Sequence, residues 1–207
     1  MDLSNPLRTI APTVDADVLQ VLARTHRPLS GATVASLSGR SYARTRTCLH
    51  RFVEHGLVSA QDAGSAVLYT LNRHHVLAGP VLAAVNSAAA VEALLVQRLA
   101  AWDPPAQAAV VFGSWARGEA GPDSDLDLLL VRDDAVDADG AWGAQVHEAG
   151  RAVELLTGNV VQFVQVTGSQ LAAAIREDQP LLASLRQDGR VLVGPPLREL
   201  LAVGATA

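Results

Sequence analysis

The chain has 207 residues, nearly half of them apolar, enough for a real hydrophobic core in one large domain or two small ones. No apolar run approaches the ~20 residues of a bilayer-crossing helix, MDLSNPLRTIAPTVDAD lacks the basic-then-apolar pattern of a secretory leader, and the lone Cys48 cannot close an internal disulfide. These features argue against membrane-embedded and disulfide-stapled secreted classes, so the expectation is a soluble cytoplasmic protein with no membrane partner.

The net charge of −5 hides an asymmetry. Residues 1–80 carry 8 Arg against 5 acids, a balance of +3, and the remainder carries 8 Arg against 16 acids, a balance of −8. A basic head on an acidic body suggests two domains with different partners. Every basic residue is arginine, which together with abundant alanine fits a GC-rich bacterial genome.

In chain order, Val14, Val18, Val21 and Leu22 fall at helical spacing, and His26-Arg27-Pro28 ends that helix. Ser30 is placed to cap a short second helix through Val34 and Leu37, with Gly39 in the turn after it. Ser41 would cap a third, whose Cys48, Leu49, Phe52 and Val53 face inward while Arg44, Arg46, Thr47, His50 and Arg51 do not; Gly56 stops it. Two β-like runs follow, Leu57-Val58-Ser59-Ala60 and residues 66–71, joined by a turn over residues 61–65.

Three helices followed by a hairpin, with RFVEHGLV at the join, resemble the winged helix-turn-helix family of bacterial regulators over residues 14–72. The resemblance implies that the N-terminal residues of the third helix read base edges in the major groove of a DNA operator. Carried over position by position, it nominates Ser41, Tyr42, Arg44, Thr45 and Arg46, with Arg73 and the wing nearby. It also implies a homodimer reading two half-sites. The alternative is a protein-docking module whose arginines are a solvated helix face. His50, His55, His74 and His75 read as surface residues, having neither a paired cysteine nor a ligand spacing.

An Ala-, Leu- and Val-rich helical segment runs from about Val76 to Trp102, as one helix or as two because Pro80 lies near its start, and Asp103-Pro104-Pro105 stops it. The expected organisation is therefore a head over residues 1–75, a helical connector over 76–105 and a second domain over 106–207.

Residues 108–112 read as a buried strand that turns at Gly113-Ser114 into a short helix over 115–119. A glycine and a hydroxyl there leave backbone N–H groups for phosphate. After Gly121-Pro122 comes the strand SDLDLLLV, whose period of two puts Asp125 and Asp127 on one face and Leu126, Leu128 and Leu130 on the other. Two carboxylates ~7 Å apart on one strand face repel unless a cation compensates them, and Mg²⁺ shared with a triphosphate is the natural one. Solvated acids at a strand edge, or an unrelated metal-binding Asp-x-Asp as in nucleotide-sugar glycosyltransferases, are the competing readings; the upstream Gly-Ser argues against both.

Gly113-Ser114, the ten residues after it and the Asp125-x-Asp127 that follows resemble the nucleotidyltransferase superfamily that includes DNA polymerase beta, and within it the minimal bacterial domain, over about residues 108–166. The fold class so implied is α+β: a winged helix-turn-helix followed by a mixed sheet flanked by helices. The resemblance implies Mg²⁺-dependent transfer of NMP, AMP foremost, from an NTP to a hydroxyl. Gly113, Ser114 and Arg117 would hold the triphosphate, and Asp125 and Asp127 one or two Mg²⁺ ions as metal-binding and catalytic residues. For Arg117, an ion pair with Glu119 or Asp123 is the competing reading.

Related minimal domains act as antitoxins that modify a cognate toxin, so a toxin is a candidate protein acceptor. The family's third carboxylate is expected near Gln162 on the strand over 160–166, which contains no acid. An amide brings no charge and is no base. Glu154 lies on the preceding helix over 140–156, off its apolar face of Trp142, Val146, Ala149, Val153 and Leu156. A DNA-binding regulator whose nucleotide domain senses NTP or is inert is thus the second reading. Toward the C-terminus, residues 169–177, 180–185 and 196–201 read as helical and 190–193 as a strand.

Overall fold

Ser30 and Gly39 bracket the first half of a helix-turn-helix, and each does so for a local reason. In the computed structural model, which describes residues 1–202, the Ser30 hydroxyl accepts from the Thr33 N–H at 3.1 Å and Gly39 adopts φ +65°. The chain divides into two units, one made of Asp2 and Ser4–Ala88, the other of Met1, Leu3 and the residues from Ala89 on. The division falls inside the stretch expected as a connector. The architecture is α+β.

The first unit contains α1 (Leu7–Ile10), α2 (Val14–Ala23), α3 (Gly31–Ser38), α4 (Tyr42–Glu54), α5 (Ala78–Val85) and a three-stranded antiparallel sheet. In the sheet, β3 (Ala66–Leu71) lies between β1 (Leu29–Ser30) and β2 (Val58–Ala63). β2 runs on to Ala63, three residues past its expected end at Ala60, while β3 has its expected bounds, because the turn needs only Gly64-Ser65, with Gly64 at φ +65°. Val18, Leu22, Val34, Leu49, Phe52, Val58 and Leu71 meet in its core. Leu37, expected on the apolar side of α3, is exposed.

The expected segment from Val76 breaks at Asn86 into α5 and α6 (Ser87–Ala100). Pro80 is tolerated in the first turn of α5, where its missing N–H has no helical acceptor to lose. No single helix among the described residues is long and apolar enough to cross a membrane.

The second unit is built on a four-stranded mixed sheet in the order β6-β5-β4-β7, where β4 is Ala108–Phe112, β5 Leu126–Arg132, β6 Val161–Thr167 and β7 Arg190–Val193. β4 runs antiparallel to β5 and β7, and β5 parallel to β6 through the crossover helix α8 (Gly140–Thr157). α7 (Gly113–Ala116) follows β4; α9 (Gly168–Arg176), α10 (Pro180–Asp188) and α11 (Leu197–Leu200) complete the unit.

β5 is buried on both faces, which is why its sequence is a run of leucines. Leu129 and Val131 pack with Leu171, Leu182 and Leu185 of α9 and α10. The opposite face takes α8, where Trp142 donates its indole N–H to Gln165 at 2.7 Å and Phe163 approaches Gly150. Leu156, expected on the inner side of α8, is 55% exposed; Thr157 takes that place and returns its hydroxyl to Val153 O at 2.8 Å. α10 extends to Asp188, three residues beyond the expected end at Leu185.

Candidate functional site

Asp125 and Asp127 sit at the N-terminal end of β5, where the strand emerges from the buried sheet: Asp125 is exposed and Asp127 half-buried. Asp127 pairs in register with Phe112 on one side and with Gln162 on the other. The loop leading into the two acids is fixed by Asn159, which sequence reasoning missed. Buried Asn159 places Nδ2 at 3.0 Å from Gly121 O, 3.3 Å from Pro122 O and 3.0 Å from Ser124 O. The Ser124 hydroxyl accepts from the Gly121 N–H at 2.9 Å.

Gly113 occupies a position open only to glycine. Its φ is +68°, and a Cβ there would collide with Asp127 Oδ2 and stand 3.4 Å from Asp127 Cγ. The β4–α7 turn therefore abuts the second carboxylate directly. α7 begins at Gly113 itself, earlier than the expected start at Trp115. Trp115 is buried beneath it, and Ser114 is half-buried.

A second missed residue is Asp188, at the end of α10. Its Oδ1 accepts from the Gly113 N–H at 3.1 Å, and its Oδ2 pairs with Arg117 Nη1. The carboxylate side chain is only 6% exposed. Arg117 also donates through Nε to Glu119 at 2.8 Å, so the expected Glu119 partner is present, joined by Asp188.

The negative charge here exceeds what Arg117 offsets. Burial first, then the neighbouring Asp125 and Asp188, push the Asp127 carboxyl above the usual carboxylate range, and Arg117 counters them only in part. Two carboxylates at one strand end with uncompensated charge suit a hard divalent cation, so the donors fit Mg²⁺. Among the described residues no three His, Cys, Asp or Glu side chains converge to hold one ion. Gln162, near which the resemblance implies a third acid, is paired in register with Asp127, its Nε2 3.4 Å from Asp125 Oδ2. Glu154 is exposed on α8, which covers the other face of the sheet.

In the head, Tyr42, Arg44 and Arg46 of α4 are exposed, as is Ser41 at the N-cap position, whose side chain makes no capping bond; Arg46 Nε lies 3.4 Å from His50 Nε2. Thr45 corrects its expected role. It is fully buried in register with Cys48, Leu49 and Phe52, so it belongs to the inner face of α4 and cannot reach a base. Arg73 is committed to the head's own backbone, donating to Ala23 O at 3.2 Å and Thr25 O at 3.4 Å. The buried Asp17 carboxylate takes Arg40 Nε at 2.5 Å, Arg8 Nε at 2.6 Å and Asn5 Nδ2 at 2.8 Å, which fixes the α3–α4 turn against α2. Arg51 pairs with Asp15, which also accepts the buried Cys48 thiol at 2.9 Å; burial foremost, then Asp15, push that thiol's pKa up.

Both regions match known domains. The IclR helix-turn-helix domain matches residues 16–62, and a nucleotidyltransferase domain matches residues 95–183. The chain joins a helix-turn-helix domain to a nucleotidyltransferase domain. Asn159 lies within the second match, and Asp188 lies beyond it. A crystal structure of a toxin-antitoxin with AMP-PNP aligns with 55% of this chain and 81% of its own, at 18% identity and a TM-score of 0.38. No curated protein matches the chain.

Proposed function

We propose that the nucleotidyltransferase domain transfers NMP, AMP foremost, from an NTP to a hydroxyl acceptor with Mg²⁺, and that the helix-turn-helix domain binds DNA. In this reading residues 1–75 are the DNA-binding head, 76–105 the connector and 106–207 the transferase. The observation that carries it is the apposition of Gly113 and Asp127 beside Asp125, within the nucleotidyltransferase match.

Asp125 and Asp127 would hold the ion, and Ser114 and Arg117 would orient the phosphates. Mg²⁺ held there supplies charge neutralisation on the phosphates and a lowered pKa for the attacking hydroxyl. Asn159 keeps the loop before Asp125 in place, so both carboxylates enter the site from a rigid strand. The sheet end leaves Asp125 open to solvent, which gives an acceptor hydroxyl access. A protein hydroxyl, such as that of a cognate toxin, is the acceptor class proposed.

One observation favours a second reading. Gln162 Nε2 lies 3.4 Å from Asp125 Oδ2, on the strand where the resemblance implies a third carboxylate, and an amide can neither neutralise a second ion nor take a proton. A DNA-binding regulator or antitoxin whose second domain senses nucleotide without turning it over fits that residue. Incubation of the protein, alone and with co-purifying partners, with base-labelled NTP and Mg²⁺ tests the two readings. Label on protein with pyrophosphate released supports transfer; bound nucleotide with neither product supports the sensor.

A further inference from the structure

Asp188 contributes to no step described above, yet it holds two groups at the candidate site. Its carboxylate is almost wholly buried, and it takes the Gly113 N–H and the Arg117 guanidinium. A backbone N–H and a guanidinium are donors of the kind that bind phosphate oxygens. The carboxylate therefore occupies them as a phosphate would. It does not complete the metal site as it stands, because it does not converge with Asp125 and Asp127 on one point.

Resting on the nucleotide reading of this site, we propose that Asp188 is an internal latch. It holds Gly113 and Arg117 in the nucleotide-free protein and yields Arg117 to a phosphate oxygen of the incoming triphosphate, so it weakens and regulates NTP binding. The ligand class is a polyphosphate, the exchange is of one anion for another on the same guanidinium, and no covalent bond changes. Arg117 is suited to the exchange, since it is partly exposed and its second partner, Glu119, lies at the surface. Asp188 also lies close enough to Asp127 to repel it, so releasing Arg117 from Asp188 leaves an acidic site better matched to a cation-bound triphosphate than to a free one.

The test is calorimetric titration of Mg²⁺-ATP, and separately of Mg²⁺ with inorganic tripolyphosphate, into wild type and Asp188→Asn. The amide keeps an acceptor for the Gly113 N–H and removes the charge that holds Arg117. The latch predicts about tenfold tighter binding of both probes by the variant, the worth of one charge-assisted hydrogen bond. It also predicts that Arg117→Ala cancels the gain in the double variant. Thermal melting of each protein separates this from damage: a purely structural Asp188 lowers the melting temperature and weakens binding together. Equal or weaker binding by a folded Asp188→Asn, with wild type binding the probes, overturns the latch and leaves the nucleotide reading standing. Binding by neither protein overturns both.

Discussion

Gly113→Ala separates the cost of a backbone conformation from the cost of intruding on Asp127. Gly113 and Gly118 have nearly the same φ, +68° and +70°, but a Cβ on Gly118 meets nothing within 4 Å while one on Gly113 collides with Asp127 Oδ2. The left-handed region costs an L-residue about 1–2 kcal/mol, which both substitutions incur. Only Gly113→Ala must also turn the Asp127 carboxylate away, adding roughly 0.5–1.5 kcal/mol for an off-rotamer side chain. Urea unfolding should thus show Gly118→Ala destabilised by about 1–2 kcal/mol and Gly113→Ala by roughly 1.5–3.5 kcal/mol. Calorimetric titration should show Mg²⁺-ATP binding within about twofold of wild type for Gly118→Ala and at least about tenfold weaker for Gly113→Ala, the equivalent of ~1.4 kcal/mol. Equal Mg²⁺-ATP affinity in the two variants would refute the placement of Asp127 at the metal.

Asp127→Asn should stabilise the protein at neutral pH. The folded-state pKa of Asp127 lies above its unfolded value, so the folded form binds the proton more tightly and stability falls as pH rises from the unfolded pKa through the folded one. Above both, the charge is a standing penalty that the amide removes; melting at pH 7 should therefore rise in the variant, and Mg²⁺ should raise the melting temperature of wild type but not of the variant. Arg44→Ala with Arg46→Ala should weaken binding to DNA and reduce the slope of log affinity against log salt by about 2, measured by fluorescence anisotropy on a duplex library. An unchanged slope would make α4 a docking surface.

What the sequence made legible was local. The Ser30 cap, the Gly39 turn, the β2–β3 hairpin and the spacing from Gly113-Ser114 to Asp125 and Asp127 are each set within a dozen or so residues, where periodicity and turn chemistry act. Thr45 was misplaced because the resemblance nominates the N-terminal residues of α4 for DNA, although its spacing to Cys48, Leu49 and Phe52 already put it on the inner face. Leu156 and Thr157 are neighbours, and the helical phase of Trp142, Val146, Ala149 and Val153 carries on to Thr157, whose buried hydroxyl is satisfied by Val153 O. Asn159 and Asp188 were invisible for another reason. Asp188 meets Gly113 across 75 positions of sequence and Asn159 meets Gly121 across 38, and no pattern within one element encodes such a meeting.

The most direct measurement is calorimetric titration of the purified protein with ATP, GTP, CTP and UTP, with and without Mg²⁺, in wild type and in Asp125→Asn with Asp127→Asn. The expected result is nucleotide binding that requires Mg²⁺ and disappears in a double variant that still folds. Mg²⁺-NTP affinity unchanged in that variant would contradict it.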